Sequence, residues 1–164
     1  MRPGLCARGL STTLEGKALI PLIVLVLVFF ALWLTAPGIA YFSDWQHALR
    51  AALGVMFLLT ASAHWGKRRP DLVRMVPEAF GKPETWVTLT GIAEILIAVG
   101  LQFPRAALVA ATSAAVMLIC VFPANMKAAR ERLTIGGRPV PGLQARLVIQ
   151  IVFLAALAAA AWPA

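Results

Sequence analysis

The sequence predicts an all-α integral membrane protein with five transmembrane helices. Hydrophobic residues make up 60% of the chain and charged residues only 13%, whereas soluble domains average about 45–50% apolar and about 25% charged residues. The apolar residues form five stretches, each long enough to cross a hydrocarbon core of about 30 Å. The basic residues fall in alternate loops between these stretches, which is typical of proteins that obey the positive-inside rule.

The first transmembrane helix is predicted over residues 17–41, after a disordered cytoplasmic tail at residues 1–16. Its apolar run, Ala18 to Tyr41, is long enough to span a bilayer, which takes about 20 residues. A cleaved signal peptide is the alternative, because the small residues at 35–40 resemble a cleavage site. The run exceeds the usual signal core of about 7–15 residues, so we favour a retained helix.

The second span is predicted at residues 44–65, where Asp44 supplies a side-chain acceptor for the free N–H groups at the helix start. A basic loop over residues 66–83 follows. Within it, residues 71–76 are expected to form a short helix at the membrane interface.

The last three spans are predicted at residues 84–103, 106–126 and 143–162. Pro123 is expected to kink the fourth helix or loosen its last turn, because proline lacks an N–H group and crowds the preceding turn. A second basic loop covers residues 127–143, and its glycines and prolines at 136–142 are turn-forming.

The charge distribution predicts the orientation. Net charge is +8, from 15 basic and 7 acidic residues. Nucleic-acid binding is one explanation of such a charge, but eleven basic residues lie in the N-terminal tail and the two long loops, and Lys17 and Arg146 lie at the adjoining ends of spans, which makes thirteen on one side. Only Arg105 lies on the opposite side, and Arg50 lies inside a span. We therefore expect no nucleic-acid partner, but a multi-pass protein of a bacterial-type inner (plasma) membrane with a cytoplasmic N-terminus and an external C-terminus.

Two charged residues lie well inside the predicted spans, away from their ends: Arg50 and Glu94. A charge at bilayer depth costs several kcal/mol unless it is paired, protonated or hydrated. Their depths differ by roughly 7 Å at 1.5 Å per residue, which an arginine side chain can reach across. We predict a buried ion pair between them. The alternatives are that Arg50 extends to the outer surface, or that Glu94 binds a proton or ligand without Arg50.

A candidate ligand site is predicted near the cytoplasmic helix ends, with Glu94 as its floor. Polar residues within membrane spans are rare without a use, and Arg146 would favour an anionic or carbonyl-bearing ligand such as a quinone head group. No catalytic residue and no metal site is predicted. The alternative is that these residues only cap helix ends and meet lipid head groups. The candidate residues are His64, Asn125, Arg146 and Gln150.

Four short motifs follow one another along the last four predicted helices. They are Arg50-x-x-Leu53-Gly54 with His64-Trp65, Leu89-Thr90-Gly91-Ile92-Ala93-Glu94, Val121-Phe122-Pro123-Ala124-Asn125, and Gly137-Arg138-Pro139 leading into Arg146 and Gln150. These motifs, in this order, resemble those of DoxX-like membrane proteins. The resemblance covers residues 44–162, and it implies a four-helix transmembrane bundle over residues 44–164, preceded by one extra N-terminal transmembrane helix.

The resemblance also implies a function. The namesake of the family is a small membrane subunit of a thiosulfate:quinone oxidoreductase. By analogy the chain is expected to be an accessory membrane subunit or anchor of a redox complex, with an oxidoreductase partner at the cytoplasmic loops. No cofactor motif is evident in the sequence, and a quinone is the cofactor that the resemblance leaves open. The alternatives are a small-molecule binder or transporter built around Glu94 and Arg50, or an assembly partner without chemistry. Homo-oligomers are compatible with each of them.

Overall fold

The computed structural model describes residues 19–162 and is mostly helical, which confirms the predicted all-α class. The predicted tail at residues 1–16 lies outside the described residues, as do residues 17–18 and 163–164. Helices α1 to α6 span Ile20–Leu34, Trp45–Ser62, Arg69–Met75, Pro83–Gly100, Pro104–Arg130 and Leu143–Ala161. Two short 3₁₀ helices cover Ala40–Ser43 and Glu78–Phe80, and strands β1 and β2 cover Thr134–Ile135 and Arg138–Pro139.

Helix α1 is shorter than the predicted first span of residues 17–41. It has 15 residues and ends at Leu34, which gives a length of about 22 Å at 1.5 Å per residue. The Thr35 hydroxyl donates to the Leu32 carbonyl at 2.6 Å, and Pro37 cannot continue the hydrogen-bonded ladder. The apolar run up to Tyr41 therefore breaks into a helix, a turn and a 3₁₀ helix.

The start of α2 confirms the predicted role of Asp44. Its carboxylate accepts a hydrogen bond from the Gln46 backbone N–H at 2.8 Å, as a helix N-cap does.

The short helix predicted at residues 71–76 is present as α3. It begins two residues earlier, at Arg69, and has a proline in its first turn. Proline is favoured there because the N–H it lacks would have no partner.

Helix α5 is longer than predicted. It has 27 residues and continues through Pro123 to Arg130, although the sequence pattern predicted its end at residue 126. A proline removes one backbone hydrogen bond, but the helix continues through Pro123 without a break. Lys127 and Arg130 lie in the last turn, where positive charge is favoured by the helix dipole.

The predicted turn in the second basic loop is a β-hairpin. Gly136 and Gly137 have φ angles of 59° and 74°, and Ile135 pairs with Arg138 across the turn. A two-residue hairpin turn with both φ angles positive favours glycine, because other residues are strained there.

The long helices pack in a closed order. Helix α2 packs against α1, α4 and α6, and α5 packs against α4 and α6. The apolar core lies between α2, α4, α5 and α6, with Leu25 of α1 added at its edge. Its largest fully buried side chains are Leu53, Phe57, Leu101 and Leu157.

The outer surface of the helices is strongly apolar. Leu34, Leu96 and Val109 are 75%, 67% and 68% exposed, and large exposed apolar patches mark contact with a membrane or a partner. Two of the described helices, α5 and α6, are long and apolar enough to cross a membrane.

A hydrogen-bonded lock joins the two basic loops. The Asp71 carboxylate accepts from the Gly136 backbone N–H at 2.7 Å and pairs with Arg74. Lys127 adds a second link, because its ammonium group donates to the Val76 carbonyl at 3.1 Å. The Gly136 N–H, and less strongly the Arg74 guanidinium, hold the pKa of the Asp71 carboxyl below its ordinary value.

This lock predicts a local pH dependence. Because the pKa of Asp71 is lower in the folded chain than in the unfolded chain, the lock favours the fold above the ordinary pKa of about 3.9. Its contribution disappears as the pH falls through the lower, folded value. We expect the hydrogen-exchange protection of the Gly136 amide to be retained down to the ordinary pKa of about 3.9 and to fall over the range below it. Protection that is flat over that range in the unchanged chain, or that still falls in Asp71→Asn, would contradict the assignment.

Candidate functional site

A histidine and a carboxylate face each other between α2 and α4. His64 lies just after the end of α2, and Glu94 lies in the middle of α4. The His64 Nδ1 atom is 3.5 Å from Glu94 Oε2, and the two side chains are 11% and 13% exposed. The structure therefore brings together two of the residues that the sequence analysis selected, at a largely buried position.

The carboxylate has an unused hydrogen-bonding atom. Within residues 19–162, Glu94 Oε2 is buried and has no hydrogen-bond partner. His64 Nδ1 lies 3.2 Å from the Thr60 carbonyl oxygen, so a proton on Nδ1 has a better acceptor there than Glu94. A buried polar atom without a partner carries a desolvation cost of about 1–3 kcal/mol, and a ligand with a donor group would remove it.

The approach of the two helices depends on Gly91. A Cβ atom at this position would lie 2.7 Å from His64 Cβ and 2.8 Å from Trp65 Cη2. Atoms do not approach so closely, so any side chain here would displace His64 and Trp65. Because Gly91 has no side chain, the end of α2 can pack close to α4 beside Glu94. Small residues allow the same close approach at interfaces between membrane helices.

Arg69 fixes the backbone at the histidine. Its guanidinium donates to the His64 carbonyl at 2.7 Å and to the Thr88 hydroxyl at 2.9 Å, which links the end of α2 to α4. From the sequence, Arg69 was predicted only as one of the basic residues of a cytoplasmic loop. Its position shortly after a helix end was the available signal, because arginine often satisfies the free carbonyls there.

A second polar pair lies between α5 and α6. Arg146 donates to the Asn125 side-chain carbonyl and, at 3.3 Å, to the Pro141 backbone carbonyl. In the described part of the chain, no carboxylate lies within ion-pair distance of Arg146. Gln150, one turn further along α6, is half-buried. The predicted cluster is thus two separate pairs, since no hydrogen bond between described residues joins Asn125 or Arg146 to His64 or Glu94.

The predicted ion pair between Arg50 and Glu94 is not formed. Arg50 Nε instead donates to the Ala160 carbonyl at 2.8 Å. Gln46 donates from the same face of α2 to the Trp162 carbonyl at 2.9 Å. The last carbonyls of a helix have no partner within the helix, so Arg50 and Gln46 cap the C-terminal end of α6.

The depth of the two charges explains this error. Gln102 donates to the Arg50 backbone carbonyl at 3.1 Å, so Arg50 lies level with Gln102 and not with Glu94. Eight residues separate Gln102 from Glu94, which corresponds to about 12 Å along a helix. The estimate of roughly 7 Å was too small, because it placed the cytoplasmic ends of both helices at the same level.

Packing differs between the two ends of the helix bundle. On α5 the buried residues Ala107, Ala110, Ala111 and Ala114 lie in the first half of the helix, whereas residues 115–127 contain none and Ala128 lies beyond them. On α6 the first buried residue is Phe153. The end that carries Asn125, Arg146 and Gln150 is therefore the less tightly packed one.

Fold and site together define a helical protein with apolar outer faces and a buried histidine–carboxylate pair. The family described as Domain of unknown function (DUF8561) matches residues 53–162, which is more than half of the chain. The chain therefore belongs to the DUF8561 family. The match begins within α2 and runs to the end of α6, so it includes both polar pairs and leaves out α1 and Arg50. No curated protein and no solved structure matches the chain.

Replacing Gly91 by alanine tests the close approach. In an ordinary helix this change stabilises by up to about 1 kcal/mol, but here the new methyl group overlaps His64 and Trp65. We expect a loss of about 1–3 kcal/mol in the free energy of unfolding in mild detergent. Gly38→Ala is the control, since its Cβ would be 3.7 Å from the nearest atom. Equal effects of both changes would argue against the packing.

A double-mutant cycle tests which residues interact. Glu94→Gln and His64→Gln should be non-additive by about 0.5–3 kcal/mol, because the side chains are in contact. Glu94→Gln and Arg50→Met should be additive within about 0.5 kcal/mol, because about 12 Å separates their levels. The measurement is unfolding of each single and double variant in the same detergent. The reverse pattern would restore the ion pair that the sequence predicted.

Proposed function

We propose that the chain is a DoxX-like integral membrane protein with five spans. In this proposal α2, α4, α5 and α6 form a four-helix transmembrane bundle, and α1 is an extra helix packed on α2. The closed order of helix contacts supports it, as do the exposed apolar side chains on every long helix. Helix α1 is short, and a short span is accommodated by local thinning of the bilayer.

The proposed orientation places the N-terminus and both basic loops in the cytoplasm of a bacterial-type inner membrane. The support is the distribution of basic residues, with thirteen on this side and Arg105 alone on the other. The lock at Asp71 adds support, because it joins the two basic loops and therefore requires them to lie on one side.

Reporter fusions test this orientation. Fusions placed after Gly81 and after Gly136 should report a cytoplasmic position, and a fusion after Ala164 an external one. The reason is that moving the basic loops across the membrane is strongly disfavoured. A cytoplasmic signal from Ala164 would reject the five-span arrangement.

Within this arrangement, we propose that the protein is an accessory membrane subunit of a quinone-linked redox complex. The observation that carries the proposal is the buried Glu94 Oε2 atom, which faces His64 and lacks a donor. A quinol hydroxyl group is a donor of suitable size for that atom. A ligand bound there would sit at the looser end of the bundle, toward the proposed cytoplasmic side.

Arg146 favours a second candidate function, the binding of a small anion. Its guanidinium is half-buried, and its hydrogen-bond partners within residues 19–162 are the uncharged Asn125 and Pro141 oxygens. A carboxylate or carbonyl-bearing ligand would be attracted to it. A small-molecule binder or transporter of this kind would use Arg146 and Glu94, and would not use Arg50, which caps α6.

The partner of such a subunit would meet the joined basic loops. Exposed arginines and lysines steer association with acidic surfaces, so a soluble or membrane oxidoreductase with an acidic face fits them best. Homo-oligomers through the apolar outer faces are compatible with this. An assembly partner without chemistry is the alternative if no ligand binds.

Quinone binding in nanodiscs tests the proposed site. Glu94→Leu removes the acceptor, and we expect the affinity for a short-chain quinol to fall by at least about tenfold, which equals about 1.4 kcal/mol. Asn125→Leu with Gln150→Met tests the α5–α6 side in the same assay. Thr112→Val is the control, because this hydroxyl only bonds its own helix at Leu108. Unchanged binding in folded Glu94→Leu protein would leave the assembly role as the better explanation.

A further inference from the structure

An open cleft lies beside the second basic loop and is not part of the candidate site. Its volume is about 420 Å³, and it separates the last turns of α5 from the segment that follows α3. Three of the residues around it are apolar, two are acidic and two are basic. They are Pro77, Pro123, Met126, Glu78, Glu131, Lys127 and Arg130.

The cleft lies at the membrane surface in the proposed topology. Helix α5 begins at Pro104, and a hydrocarbon core of about 30 Å takes about 20 residues of helix. Pro123 and Met126 therefore lie at the inner edge of the hydrocarbon core. Arg130 and Glu131 lie one to two turns beyond it, at the level of the lipid head groups.

Both signs of charge in the cleft are available to a ligand. Glu78, Arg130 and Glu131 are exposed, and across residues 19–162 neither acid forms an ion pair with either base. Lys127 uses one of its donors on the Val76 carbonyl and keeps two of its three N–H groups. An anion alone would meet repulsion from the two acids, whereas a zwitterion would be attracted to both signs.

We propose that this cleft binds a phospholipid with a primary ammonium head group, that is, phosphatidylethanolamine. The lipid phosphate pairs with Lys127 and Arg130, and the ammonium group donates hydrogen bonds to Glu78 and Glu131. The glycerol and upper acyl chain lie against Pro123 and Met126. This inference rests on the proposed membrane topology, which puts the cleft at head-group level.

The head group of the lipid distinguishes this site from general attraction to a basic surface. Phosphatidylcholine has the same charges but no N–H donors, and phosphatidylglycerol has no cation. Native mass spectrometry of the full chain in mild detergent should show phosphatidylethanolamine binding about tenfold more tightly than phosphatidylcholine, which equals about 1.4 kcal/mol. Stepwise N-methylation of the ethanolamine should weaken binding progressively. Equal binding of all three lipids, or a preference for phosphatidylglycerol, would overturn the proposal.

Substitutions test whether the preference for phosphatidylethanolamine arises in the cleft. Glu78→Gln with Glu131→Gln should reduce phosphatidylethanolamine binding to the level of phosphatidylcholine. Glu84→Gln, which changes an exposed acid of α4 outside the cleft, should not. Arg130→Gln should weaken both lipids, and Arg138→Gln in the hairpin should weaken neither. Controls that act like the cleft variants would overturn the assignment.

The test of the lipid site and the test of the membrane topology can fail independently of each other. Melting temperatures in lipid-free detergent report whether each variant is folded, and the N-methylation series with the unchanged chain does not depend on any variant. A chain that shows the expected reporter orientation but no head-group preference would reject the lipid site alone. An inverted reporter orientation would reject the topology first, because the cleft would then face the other leaflet.

Discussion

The close approach of α2 and α4 is the constraint on which most of the polar architecture depends. Two glycines allow it, one toward each end of the interface. A Cβ on Gly54 would lie 2.5 Å from Gln102 Nε2, and one on Gly91 would lie 2.7 Å from His64 Cβ. Because Gly54 has no side chain, Gln102 can donate a hydrogen bond to the Arg50 carbonyl. Because Gly91 has none, His64 can face Glu94. In the proposed membrane topology no hydrophobic driving force acts between helices, and such backbone proximity is then a main source of association.

The two ends of the bundle use their polar groups differently. At one end, Arg50, Gln46 and Gln102 all donate to backbone carbonyls, which satisfies groups that would otherwise be unpaired. Most of the buried apolar cluster on α4, α5 and α6 also lies toward this end. At the other end, among residues 19–162, Glu94 Oε2 has no hydrogen-bond donor and no carboxylate forms an ion pair with Arg146. The first arrangement caps helix ends, although Gln46 Oε1 is also buried there without a partner. The second arrangement is the one that the proposed ligand would complete.

The family match is consistent with this division. It begins at Leu53 and ends at Trp162, so it covers the second half of α2, all of α4, α5 and α6, and both polar pairs. Helix α1 is outside the match; Leu25 is its residue in the buried core, and Leu22, Val28 and Phe29 pack against that core. The family unit is therefore the helix bundle that encloses the core, and α1 packs beside it.

The sequence by itself determined the helical class, most helix positions and the Asp44 cap, because apolar run length, proline position and short polar side chains act locally. It also selected His64 and Glu94 as unusual residues in apolar surroundings. It paired Glu94 with the wrong residue, because the relative depth of α2 and α4 is set by glycine contacts and not by segment length. Only the tertiary structure showed that Arg50 caps α6, that Gln46 and Gln102 serve the same end, and that Asp71 locks Gly136. These partners lie 65 to 116 residues apart in most cases, and periodicity carries no information about contacts between distant segments.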